Sequence, residues 1–188
     1  AAQDGNVTNA ETLHDWINAQ LSFGSLWNDA VFVVAANERA KGDLPCDDII
    51  ALAIAMTNAS ERLNETVKQG KSFSDAVGTW LNEDCRLAPM TPLPIHIGWA
   101  GGHSHINAAD CVAAYLHAFA ANQLQAAIRL SIIGQNASAK LLGQLEPTIA
   151  KVAQKAAAST LEELGTCTFL ADIAAMKHET LQPRLFLS

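Results

Sequence analysis

The chain predicts an all-α fold, a single-domain helical bundle of about six to eight helices across residues 1–188. Three observations predict it. Helix-start residues recur along the whole length, apolar residues follow them at spacings of three and four, and no convincing strand is visible.

The first start is Thr8-Asn9-Ala10-Glu11, which has the spacing of a capping box, hydroxyl and carboxylate each satisfying an orphan amide. Leu13, Trp16, Ile17 and Leu21 follow at helical spacing. Asn28-Asp29 opens an apolar stretch, Ala30 to Ala36, read as a second helix ending near Gly42. Its Val31-Phe32-Val33-Val34 run has strand character, but no partner strand accompanies it. Pro45-Cys46-Asp47-Asp48 starts a third helix. Proline suits a first turn, and the aspartates favour the positive end of the macrodipole. That helix is expected to continue through Ile50, Ile54, Leu63 and Val67 to Gly70. Ser72-Phe73-Ser74-Asp75 resembles another capping box, followed by Val77, Trp80 and Leu81.

Punctuation then thickens. Pro89, Pro92, Pro94, Gly98, Gly101 and Gly102 mark a connector or a short helix between two loops. Asn107-Ala108-Ala109-Asp110 caps the longest segment, along which Val112, Leu116, Phe119, Ala120, Leu124, Ala127 and Ile128 form a stripe. Alanines elsewhere on it suggest close approach on several sides, so it reads as the central helix. Another helix is expected over 137–158, and a last short one over 169–178.

Composition narrows the function classes. The chain is 49% hydrophobic and only 16% charged, below the usual quarter, which suits an Ala-rich bundle or surface reserved for partners. Its net charge is −7 with no basic run, which argues against nucleic acid and against an anionic membrane surface. The most apolar stretch, Val112 to Ile133, is interrupted by His117, Asn122, Gln123, Gln125 and Arg129, so no bilayer-spanning segment is expected. No signal peptide is evident at the start. Cys46, Cys85, Cys111 and Cys167 are far apart within apolar helical patterns and read as reduced core residues of a cytoplasmic protein.

Catalytic constellations are weak. There is no Gly-x-Ser-x-Gly elbow, and Gly101-Gly102 lacks the lysine of a phosphate-binding loop, so no enzyme activity and no cofactor are expected. The adjacent carboxylates Asp47-Asp48, Glu83-Asp84 and Glu162-Glu163 sit at helix ends, where capping explains them better than acid–base work. Among six histidines only His103-Ser104-His105, flanked by His96 and Cys111, suggests a metal. On a helix an i, i+2 pair diverges, and solvated or packed histidines are the default. A nickel-binding metallochaperone using His103 and His105 is kept as the alternative function.

The C-terminus ends Leu181-Gln182-Pro183-Arg184-Leu185-Phe186-Leu187-Ser188, too short after the proline to fold alone. Two readings stand side by side: a tail packed on its own bundle, or a peptide docking in a partner's groove with Leu185 and Phe186 as anchors and Arg184 giving direction.

Here the residues carry a resemblance. Ala171 to Thr180 (ADIAAMKHET), then Arg184-Leu185-Phe186-Leu187-Ser188, closely resemble the closing motif of the UreF family of urease accessory proteins. Upstream, Trp27-Asn28-Asp29-Ala30, Tyr115 to Asn122, Gly134-Gln135 and Leu145-Glu146-Pro147 are similar to that family's helices in consistent order. The resemblance implies an all-α, non-catalytic adaptor that associates with UreD (also called UreH), recruits the GTPase UreG and assists nickel insertion into apo-urease, commonly as a homodimer. It implies a partner-binding role for His178, Glu179, Thr180, Arg184, Leu185 and Phe186, with residues 178–188 as the docking tail. It also implies an N-terminal segment rich in Pro, Gly, Phe, Ser and Tyr. That segment has no counterpart before Ala1, and its loss would remove part of the contact surface.

Overall fold

The computed structural model describes residues 7–57, 59–81 and 87–165. Among them are seven α-helices and one 3-10 turn, and no strand. The all-α reading holds.

Helix α1, Ala10–Phe23, opens on Asn9 rather than Thr8. The Asn9 carboxamide accepts from Thr12 N at 3.0 Å, and the Thr12 hydroxyl accepts from Asn9 N at 3.1 Å. This is a capping box one residue later than expected, because asparagine caps as well as threonine. Leu13, Ile17 and Leu21 are its buried stripe, and Gly24 separates it from α2, Ser25–Lys41.

Helix α2 starts before Asn28-Asp29 and is the true centre. Ten of its residues are buried, including the strand-like Val31–Val34 run. Two cores share it. Leu26, Trp27, Ala30, Val31, Val33 and Val34 face the larger one, and Phe32 and Ala36 belong to the smaller. A helix walled in on opposite sides is apolar all round over Ala30 to Ala36, which explains why that run reads as ambiguous.

The single helix expected from 46 to 70 is two. Helix α3, Asp47–Ala55, starts on its two aspartates as anticipated. The Thr57 hydroxyl turns back to the Ala53 carbonyl at 2.8 Å, and helix α4, Ser60–Val77, begins anew. Gly70 does not end it, and Ser72 caps nothing. Asp75 instead takes Lys71 Nζ at 2.6 Å, four residues apart on an exposed face. Arg39 ties α2 to the start of α3, donating to Pro45 O at 2.8 Å and to Asp48 at 2.6 Å.

The proline- and glycine-rich stretch resolves as a helix, α5, Leu93–His103, with Pro94 in its first turn. Its glycines permit contact. A Cβ on Gly98 would overlap the Val33 carbonyl, and one on Gly102 would sit 2.5 Å from Asn37 O and 2.6 Å from Ala40 Cβ. Two glycines four residues apart therefore let α5 lie directly on the backbone of α2, its most extensive neighbour. Helix α6, Ala108–Arg129, is capped by Asn107 as expected, and Val112, Leu116, Ala120, Leu124 and Ala127 are buried. Ala114, His117, Ala118 and Asn122 are exposed, so α6 flanks the bundle. Helix α7, Gln135–Ala157, packs on α6 and α1 through Leu141, Leu145, Ile149 and Val152. The expected helix over 169–178 lies outside the described residues.

Candidate docking end at the head of α2

The first turns of α2 gather side chains from distant parts of the chain. Asp29 Oδ2 accepts from Tyr115 OH at 2.7 Å and from Arg62 Nη2 at 2.7 Å, and Arg62 also donates to the Ser25 hydroxyl. One carboxylate thus joins α2, α4 and α6. Burial, with the Asp29 charge beside it, raises Tyr115 well above its ordinary range, so the phenol stays a donor.

The next two side chains of the same turns reach the other end of the chain. Trp27 Nε1 donates to Glu163 O at 2.8 Å, and Lys155 Nζ lies 4.3 Å over the Trp27 ring. Asn28 Oδ1 accepts from Gly165 N at 2.8 Å. Between them a 3-10 turn, Leu161–Glu163, closes on its own capping box: Thr160 Oγ1 accepts from Glu162 N at 3.4 Å, and Glu163 Oε2 from Thr160 N at 2.9 Å. Of Glu162-Glu163, the Glu163 carboxylate caps the turn, while Glu162 supplies a backbone N–H. Leu161 and Leu164 pack on both cores.

The expected docking residues His178, Glu179, Thr180, Arg184, Leu185 and Phe186 lie outside the described residues. Sequence reading found Trp27-Asn28-Asp29 as a familiar motif and missed its role. The partners stand some 136 residues away, and no local pattern marks such a pair.

The histidine group is dispersed. His103 ends α5 with its ring edge against Trp99, centroids 4.5 Å apart, and its Nε2 is buried with no hydrogen-bond partner among the described residues. His105 is exposed at φ 58°, the left-handed residue of a helix C-cap in which Ile106 N reaches back to Gly101 O at 2.9 Å. His96 is buried on α5, and burial lowers its pKa to about 4. Cys111 is buried beside Asn37, whose amide donates to Ile106 O at 3.1 Å and Gly98 O at 3.4 Å and approaches Cys111 Sγ at 3.6 Å. Burial raises the Cys111 thiol and pushes that of Cys46 up to about 11, leaving both protonated packing residues. No group of three or more His, Cys, Asp or Glu side chains among the described residues is placed to hold a metal ion. Cys85, Cys167 and Glu83-Asp84 lie outside the described residues. No helix among the described residues is long and apolar enough to cross a membrane.

The family model described as UreF matches residues 7–146. A urease accessory protein UreF of Mesorhizobium japonicum is 39% identical over 189 aligned residues, covering 100% of this chain and 85% of that protein. A counterpart of the same name in Brucella ovis is 41% identical, covering 100% of this chain and 83% of its own length. Urease accessory protein UreF 1 of Brucella anthropi is 39% identical over 99% of this chain and 82% of its own. With a family model over most of its helices and relatives near two-fifths identity along its length, this chain belongs to the UreF family of urease accessory proteins.

Proposed function

We propose that this chain is a non-catalytic cytoplasmic adaptor in urease maturation. It associates with UreD (UreH), recruits the GTPase UreG, regulates that GTPase and so assists GTP-dependent nickel insertion into apo-urease, acting as a homodimer. The observation that carries the reading is the match to urease accessory proteins along the whole of this chain. The site geometry supports it: the charged and polar side chains at the head of α2 are spent on one another, on α4 and α6, and on the backbone at Glu163 and Gly165, in the manner of a scaffold. Residues 178–188 are the docking peptide, with Leu185 and Phe186 as apolar anchors and Arg184 as the oriented charge.

Pull-down with UreD, UreG being added second, tests this when the intact chain is compared with one ending at Gln182. Capture that is lost on truncation is the expected result. Arg184→Ala should lower capture and urease activation by about tenfold, the cost of one oriented anchor, with unchanged helix content. Full activation by the truncated chain would remove the tail from the mechanism.

A further inference from the structure

Helix α4 is long but barely buried. Of its 18 residues only Gly70 is buried, against ten of the 17 in α2. Leu63, Val67, Phe73 and Val77 are half-buried and belong to neither core. Among the described residues, α4 is held by Arg62, Thr66 and Gly70, which share one face at four-residue spacing. Arg62 donates to Asp29 at 2.7 Å and to the Ser25 hydroxyl, both at the head of α2. The Thr66 hydroxyl accepts from Leu93 N at 3.2 Å. It thereby caps α5, whose own N-cap residue, Pro92, has no capping side chain. Gly70 lies so close over the same end that a Cβ would stand 2.6 Å from Thr91 O and 3.0 Å from Leu93 N. Next to it sit Thr91 and His96, two of the four buried polar residues of the described chain, so the surface that α4 covers is polar. Water can replace much of what a polar cover supplies.

We propose that α4 is a strap, latched by Arg62 and Thr66, that lifts off the head of α5 as one unit while the other helices stay folded. Local opening draws on elements with few buried apolar contacts, and α4 is such an element. Neither core contains an α4 residue, so both stay closed when it leaves. Asp29 is not left unpaired, because it still accepts from Tyr115 at 2.7 Å. Arg62 is already 37% exposed and passes readily into water. Once lifted, an 18-residue helix with a glycine near its middle is marginal in water, and its amides exchange. The open form bares Thr91, His96 and the first amide of α5, which the closed form keeps covered.

The test is native-state hydrogen exchange of the whole chain, read by peptide fragment over a series of low urea concentrations. The amides from Leu63 to Val77 are expected to open together, with one urea dependence smaller than that of α2 and α6. They should exchange roughly a hundredfold or more faster than the buried amides of those two helices. Thr66→Val keeps the shape and removes the acceptor, and should speed α4 exchange about three- to tenfold. Arg62→Met keeps the stem and removes the charge, and should speed it about tenfold or more. Neither substitution should change exchange in α2 or α6. Amides of α4 that exchange only together with α2 and α6 would overturn the strap, since α4 would then open only by global unfolding. Rates graded from the two ends of α4, each with its own urea dependence, would overturn it as simple fraying. A common opening that neither substitution quickens would overturn the latch and the proposal with it. Should Arg62→Met fail to fold, Thr66→Val decides by itself.

Discussion

His96 shows what burial does to one side chain. It sits on α5 where Gly70 of α4 approaches so closely that a Cβ there would lie 2.8 Å from the imidazole Cδ2. Burial lowers its pKa from 6.5 to about 4. Between those values the unfolded chain binds a proton that the folded chain refuses, so stability falls as pH drops through this window. Going from pH 7 to pH 5, the native state should lose about 2 kcal/mol through this residue alone. Urea unfolding of His96→Gln, compared with the parent at both pH values, checks it. A parallel pH dependence in the two proteins would mean that His96 carries none of it. Burial also separates the histidines that look alike in the sequence. His103 packs on Trp99, while His105 serves as a left-handed helix cap.

Among the helices, glycine is the instructive residue, since the same substitution should act in opposite directions at two sites. Gly98→Ala would drive a methyl into the Val33 carbonyl, and backbone cannot move aside as a flexible side chain does, so a loss of about 3 kcal/mol or more is expected. Gly143 lies in α7, where an added methyl group would meet nothing within 4 Å, and Gly143→Ala should stabilise by about 0.5–1 kcal/mol. Thermal melts of both variants decide, and a Gly98→Ala protein as stable as the parent would refute the close packing of α2 on α5. The helices with a strong one-sided stripe, α1, α6 and α7, were legible in the sequence because local periodicity reports a single buried face. Between 46 and 103 the start of α3 was legible, but its end, the start of α4 and the choice between a connector and a helix for α5 were not. There Gly70, Gly98 and Gly102 answer to a neighbouring helix, and a breaker and a contact glycine look identical along the chain.

Across the whole molecule, α2 links the larger core to the smaller one, and Leu161 and Leu164 touch both. Elements that share a central helix should unfold together. Far-UV circular dichroism and tryptophan fluorescence are expected to give coincident transitions, since Trp16 and Trp27 report the larger core and Trp99 the smaller. Two separated transitions would show that the cores are independent. Family membership, helical class and the likeness of the closing motif were all readable from residue order, because they depend on local periodicity and on short motifs. Which helix is central, which glycines are contacts, and what the side chains of Trp27 and Asn28 hold depended on the folded chain. The hydrogen bonds from Trp27 to Glu163 and from Gly165 to Asn28 join residues more than a hundred positions apart, and only packing brings such groups within 3 Å.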